Sequence, residues 1–184
     1  MLTNKIRGKM KKRGKMIFDK VKEWMLCIVI AIIIAVVINK FVIYKVKIPS
    51  KSMEPTISIG DQLLVKRIYN YDKIKRGDIL VFYSRENESN YIKRVVGLPG
   101  DKVEIKNGVV YVNEELQIEN YVSDLDVNDS AIYEVPQGSY FFLGDNRPNS
   151  DDSTEWDNPF VDKKDISAKA FIKIYPFSQI GFLE

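Results

Sequence analysis

Val103-Glu104-Ile105-Lys106-Asn107-Gly108-Val109-Val110-Tyr111-Val112 carries a period-two pattern on both sides of an Asn-Gly pair. Asn and Gly both accept the positive φ angles of a two-residue hairpin turn, so the stretch predicts a β-hairpin, read here as a structural arm. Outward from it, short runs rich in Val, Ile, Tyr and Phe recur between turn signals: Tyr44 to Ile48, Gln62 to Lys66, Asp78 to Tyr83, Tyr91 to Val96, Lys102 to Lys106, Val109 to Asn113, Ser139 to Leu143 and Ala168 to Tyr175. Beyond Tyr44 no long 3.6-residue periodicity appears. The close spacing predicts a mostly β domain with a coiled or barrel-like antiparallel sheet, rather than βαβ units. Residues 45–184 read as one domain, with 101–138 a hairpin and loop insertion. Within it, Asp124, Asp126 and Asp129 lie in an acidic stretch without the central Gly and terminal Glu of a calcium loop, so they read as solvated.

Toward the N-terminus the pattern changes. Trp24 to Ile38 holds no charge, and after Asn39 and Lys40 the apolar run resumes as Phe41-Val42-Ile43-Tyr44. A helix of about 20 residues rises about 30 Å, the thickness of a bilayer core, with Lys40 snorkelling outward and Trp24 and Tyr44 as interfacial anchors. Asn39 to Lys47 lacks the small residues of a leader-peptide cleavage site, which favours a retained transmembrane anchor over residues 23–44. Residues 1–22 carry nine Lys or Arg against one Asp, net +8, leaving 19 basic against 24 acidic residues, net −5, for the remainder. Basic residues without interleaved aromatics, directly before an apolar span, suit an anionic leaflet better than a nucleic acid. The positive-inside bias places residues 1–22 in the cytoplasm and the β domain outside. The single Cys27 excludes an intramolecular disulfide and a thiolate metal cluster.

The 184 residues include no histidine. Activating a serine hydroxyl therefore falls to a lysine, a carboxylate or a metal. In Tyr91-Ile92-Lys93-Arg94-Val95-Val96, strand alternation puts Lys93 on the same face as Tyr91 and Val95, and Arg94 on the other. Burial in that apolar row would lower the lysine pKa toward the range of a working base, a route closed to Arg94. The candidate nucleophile is Ser52 in Pro49-Ser50-Lys51-Ser52-Met53-Glu54-Pro55-Thr56. A third segment, Gly144-Asp145-Asn146-Arg147-Pro148-Asn149-Ser150-Asp151-Asp152-Ser153, follows an apolar strand and is dense in Gly, Asn, Asp and Ser. Loops of that composition commonly carry function.

Together these segments resemble the bacterial type I signal peptidases, membrane serine proteases that remove signal peptides from exported proteins. Pro49 to Thr56 resembles the family's serine box, Gly77 to Phe82 its Gly-Asp strand, Tyr91 to Asp101 its lysine box and Gly144 to Ser153 its last box. The single anchor and short middle section look like the compact Gram-positive type. The resemblance implies Ser52 as nucleophile, Lys93 as general base, Ser50 as an oxyanion donor and Ser150 as the hydroxyl that orients the lysine. It also implies that Asp145 pairs with Arg94 and that Asp152 supports the loop. Two departures stand out. Ser153-Thr154 replace an arginine common after the Asp152 position, and Trp156 to Phe160 replace a Phe-Gly-like stretch, so altered loop stability is expected more than lost activity.

Ile48, Met53, Ile57, Tyr91 and Ile92 flank the dyad and are expected to line shallow apolar pockets suited to alanine-sized side chains. The implied partners are secretory preproteins, cut after Ala-x-Ala, and the lipid bilayer of the plasma membrane; no nucleic acid, metal or cofactor is implied. Two weaker readings remain. A self-processing repressor-type protein would carry a DNA-binding head in place of the anchor. A catalytically inert, membrane-anchored export factor would have no need of Ser50, Ser52, Lys93 and Ser150 together.

Overall fold

The computed structural model describes residues 2–127 and 130–183, so Asp129 of the acidic stretch lies outside the described residues. The chain divides into two units, residues 1–42 and 43–184. The first is a single helix, α1 (Leu2–Phe41), which runs through the basic head into the apolar span. Its segment Lys20–Phe41 is 22 residues long with mean hydropathy 2.6 and is long and apolar enough to cross a membrane. Ile28, Ile32 and Val36, and Val29, Ile33 and Val37, are all exposed on the isolated helix, so its apolar surface wraps all round instead of forming one stripe.

Two expectations meet at Tyr44, the end of the apolar span and the start of a strand, and the strand is the one found. The helix stops at Phe41 and Tyr44 belongs to β1 (Ile43–Lys47), where it pairs with Val65. A β-branched, alternating Ile-Tyr-Lys-Val-Lys segment with a strand waiting beside it pairs rather than continuing the helix.

In the second unit every pairing among the described residues is antiparallel. The larger sheet comprises β1, β2 (Gln62–Arg67), β3 (Ile79–Ser84), β4 (Ser89–Gly97), β9 (Ser139–Leu143), β10 (Val161–Asp162), β11 (Ile166–Tyr175) and β12 (Gly181–Phe182). Its order is β1-β2-β11-β3-β4-β9-β10, with β12 on β11. The antiparallel expectation holds; the path has two edges, β1 and β10, so "barrel-like" overstates its closure.

The smaller sheet is β7 (Glu115–Leu116), β6 (Val109–Val112), β5 (Lys102–Lys106) and β8 (Ala131–Glu134), in that order. The anticipated hairpin is β5 and β6, closed by Asn107 at φ 51° and Gly108 at φ 79°. Positive φ at both turn residues is the mirror-image geometry that matches strand twist. Segment 101–138 is thus a four-stranded sheet, more than a hairpin with a loop. β7 and β8 escape a sequence reading because they are short, two and four residues, and β8 follows the acidic stretch directly.

Three buried apolar clusters underlie the sheets. One gathers Ile48, Met53, Ile57, Leu63, Val65, Ile79 and Val81 beneath the serine segment. A second surrounds Leu80, Phe82, Val95, Phe142 and Trp156. The third joins Val103, Ile105, Val110 and Val112 of the small sheet to Val96, Phe141 and Leu143 of the large one. Strands β4 and β9 therefore have core on both faces, and charges placed there are dry.

Candidate active site

Lys93 stands opposite Leu80 in the β3–β4 pairing and is only 2% exposed. Its Nζ donates to Ser150 Oγ at 3.0 Å, and Ser150 Oγ donates in turn to Asp152 Oδ2 at 2.5 Å. The aromatic ring of Tyr91 lies 5.7 Å from the ammonium. Burial pulls the Lys93 pKa down from 10.5 to about 8, against the opposing pull of the Asp152, Asp151 and Asp145 carboxylates. A group of that pKa is largely protonated at neutral pH yet readily releases its proton, the property that a general base requires.

Ser52 is 7% exposed in the segment between β1 and β2, and its hydroxyl lies 3.4 Å from that of Ser50. The Asn146 backbone N–H donates to Ser52 O at 3.1 Å, and Asn146 Nδ2 donates to Lys51 O at 3.1 Å. Gly144 permits this seam: a Cβ there would sit 2.1 Å from Ser150 Oγ and 2.5 Å from Ser52 O. The serine segment and the loop that carries Ser150 thus meet across a glycine without a side chain, which brings Ser52, Ser50, Ser150 and Lys93 into one neighbourhood.

The family model described as "Signal peptidase, peptidase S26" matches residues 21–175. The chain belongs to the S26 signal peptidase family. It is 38% identical over 162 residues to a probable signal peptidase I-2 of Synechocystis sp., covering 84% of this chain and 73% of that protein. It is 33% identical over 179 residues to a signal peptidase IB of Staphylococcus aureus, covering 87% of this chain and 92% of that one. A crystal structure of a signal peptidase I from Enterococcus faecalis V583 aligns with a TM-score of 0.47 at 33% identity, over 53% of this chain and 96% of that one. Membership of the family makes the protein a serine endopeptidase.

Around Ser52 and Lys93, the protein holds two buried ion pairs among those described. Arg94 Nε and Nη2 donate to Asp145 Oδ1 and Oδ2 at 2.9 and 2.7 Å, the pairing anticipated for these residues. Thr56 Oγ1 donates to Asp145 Oδ2 at 2.6 Å, and Arg94 Nη1 donates to Gly77 O at 2.9 Å. One guanidinium therefore ties the lysine strand, the 144–150 loop, the serine segment and the turn before β3. The Tyr121 ring covers it at 3.8 Å. The second pair joins Arg147 Nη2 to Glu119 Oε1 at 2.7 Å, and the same oxygen accepts from Tyr121 Oη at 2.8 Å. Arg147 Nε also donates to Gly144 O at 3.1 Å.

Asp152 has a shell of neutral donors. Besides Ser150, Oδ2 accepts from the Gly144 N–H at 2.8 Å, while Oδ1 accepts from the Thr154 N–H at 3.2 Å and Thr154 Oγ1 at 3.0 Å. Thr154 thus serves the carboxylate at the departure from the resembled pattern noted in the sequence, and Ser153 Oγ takes the Phe142 N–H at 2.9 Å. Of the predicted pocket residues, Ile48, Met53 and Ile57 are 2, 1 and 0% exposed, while Ile92 and Tyr91 are half-buried beside the first and second clusters respectively.

Thr56, Gly144, Asn146, Glu119, Tyr121 and Arg147 were not singled out from the sequence. Thr56 and the loop residues lay within recognisable segments. Glu119 and Tyr121 gave no signal, since their partners stand 28 and 27 positions away along the chain. Among the described residues no group of three or more His, Cys, Asp and Glu is placed to hold a metal ion.

Proposed function

We propose that this protein is a membrane-anchored signal peptidase I that cleaves the signal peptides of exported preproteins after small residues, with Ser52 as nucleophile and Lys93 as general base. The observation that carries the reading is the buried Lys93, its pKa drawn to about 8 and its Nζ held by Ser150. In a chain without histidine, this amine is the side chain equipped to cycle a proton near neutral pH.

Ser52 Oγ attacks the scissile carbonyl carbon as its proton passes to Lys93 Nζ. The oxyanion takes hydrogen bonds from the Ser52 N–H and the Ser50 hydroxyl, a kind of contact worth about 3 kcal/mol per donor. The C–N bond then breaks, Lys93 returns the proton to the leaving amine, and an acyl-enzyme remains on Ser52. Water, deprotonated by Lys93, attacks that ester, and the second collapse frees the new carboxylate and restores the Ser52 hydroxyl. Tyr91 and Ile92 retain surface to meet the substrate, backed by Ile48, Met53 and Ile57. Shallow walls of that kind suit Ala-x-Ala.

The Lys20–Phe41 segment supplies the anchor in this reading, with the basic head on the cytoplasmic side of the plasma membrane and the β unit outside. Enzyme and signal peptide then share one membrane, which raises their effective concentration. The test is cleavage of a purified preprotein bearing Ala-x-Ala before its mature start, in detergent or liposomes, by the intact chain and by Ser52→Ala. Cleavage at that junction by the intact chain alone is expected. No cleavage by either, with the fold verified by circular dichroism, sinks the reading and favours the inert export factor.

A further inference from the structure

We infer that Asp151 is a positioning residue, whose carboxylate fastens Tyr91 and Trp156 as an aromatic cover over Lys93 and keeps the base dry; this rests on Lys93 acting as the base. Tyr91 Oη donates to Asp151 Oδ2 at 2.5 Å, and Trp156 Nε1 donates to Asp151 Oδ1 at 2.6 Å. Each carboxylate oxygen thus holds one ring. Asn87 Nδ2 adds a longer contact to Oδ2 at 3.5 Å. The rings meet edge to face at 5.7 Å and 80°, and both lean on Phe82, at 6.1 Å for Tyr91 and 5.9 Å for Trp156. Phe82 is fully buried, so the pair rests on a rigid base.

Lys93 meets the Tyr91 side of this cover, its ammonium 5.7 Å from the ring, and Trp156 buttresses that ring from its edge. The feature is separate from the Ser150–Asp152 contact, which fixes the direction of the amine from the loop side. Asp151 itself is exposed and makes no hydrogen bond to Lys93 among those described. Its effect on the base runs through the rings and through its field. The charged groups acting on Lys93 are Asp152, Asp151 and Asp145, all from the segment that follows β9; Tyr91 is neutral, since burial and Asp151 push its pKa up to about 12. Burial outweighs all three carboxylates on the lysine, so opening the cover lets water in and favours the ammonium.

Tyr91→Phe keeps the ring and the carboxylate charge but removes the hydroxyl that ties them. Asp151→Glu keeps the charge but carries it one methylene beyond both donors. Measured as kcat/KM against pH with the full chain in detergent, the wild-type profile should rise with a midpoint near pH 8, as the Lys93 pKa directs. Both variants should move that midpoint alkaline by about half a unit or more, with at least a threefold loss at pH 7. A cover with a purely structural role would lower the unfolding midpoint and leave the pH profile in place. Midpoints unchanged in both variants overturn the inference while leaving Lys93 as base. A wild-type profile with no rise between pH 6 and 10 removes the base assignment, and this inference with it.

Discussion

Arg94 and Asp145 form a two-point ion pair whose side chains are 2% and 1% exposed, directly after the lysine on β4 and after the glycine that seats the serine segment. The buried pair locks β4 and the loop after β9 in register. Removing one partner strands the other charge in a dry site, at a cost of about 3–5 kcal/mol. Asp145→Ala should therefore lower unfolding stability in urea by about that much. The double variant Arg94→Met, Asp145→Leu should recover most of the stability, yet not the activity. Equal stability of the single and double variants would show that the pair does not act as a unit.

Stability should also carry the signature of the lysine. The Lys93 pKa is 10.5 in an ordinary setting and about 8 in the fold, so the unfolded chain binds the proton more tightly. The penalty is complete below pH 8 and fades as pH rises from 8 toward 10.5, at about 1.36 kcal/mol per unit, or about 3 kcal/mol in all. Lys93→Met should be inactive and more stable at pH 7 by up to that amount, less the lost Ser150 contact, with the gain shrinking across the same window. A gain independent of pH would contradict the linkage.

Cleavage itself offers a stricter test of the base. Lys93→Arg keeps the positive charge but cannot release a proton near neutral pH, and should lose at least a thousandfold in kcat. Single-turnover assays with a preprotein check this, and residual activity within tenfold of wild type would remove Lys93 from its role.

Gly144 should resist even alanine. The added methyl meets Ser150 Oγ at 2.1 Å and the Ser52 carbonyl at 2.5 Å, and the carbonyl belongs to backbone that cannot swing aside. Gly144→Ala is expected to cost about 1–3 kcal/mol in urea unfolding and to depress kcat by tenfold or more. Wild-type kcat would mean that the serine segment tolerates displacement.

The neutral shell of Asp152 distinguishes two substitutions. Thr154→Arg changes a partly exposed residue and should shift stability while altering kcat/KM by less than about threefold. Ser153→Arg forces a long cation into a position that is 0% exposed and should prevent folding, read from circular dichroism. A sharp rise in turnover for Thr154→Arg would show that the missing arginine limits this enzyme.

Much of this is legible in the sequence. The Asn-Gly hairpin was readable because its turn chemistry is local. The apolar run was readable because fifteen consecutive apolar residues, Trp24 to Ile38, resuming after Asn39 and Lys40, have few stable settings. Lys93 stood out because a lysine among Tyr91, Ile92, Val95 and Val96 conflicts with its own solvation. The end of the helix is less legible, because the pairing of Tyr44 with Val65 that favours a strand there joins residues far apart in the chain.

Local order thus specified the longer strands, the hairpin, the apolar helix and the residue types able to do the chemistry, because propensity and side-chain alternation act between near neighbours. The Asp151 tie between Tyr91 and Trp156, the Tyr121 cover on Arg94 and the fit of Gly144 against Ser52 arose from the packing of the sheet. Each depends on segments tens of residues apart meeting within about 3 to 4 Å, and such contacts exist only after the core has closed between them.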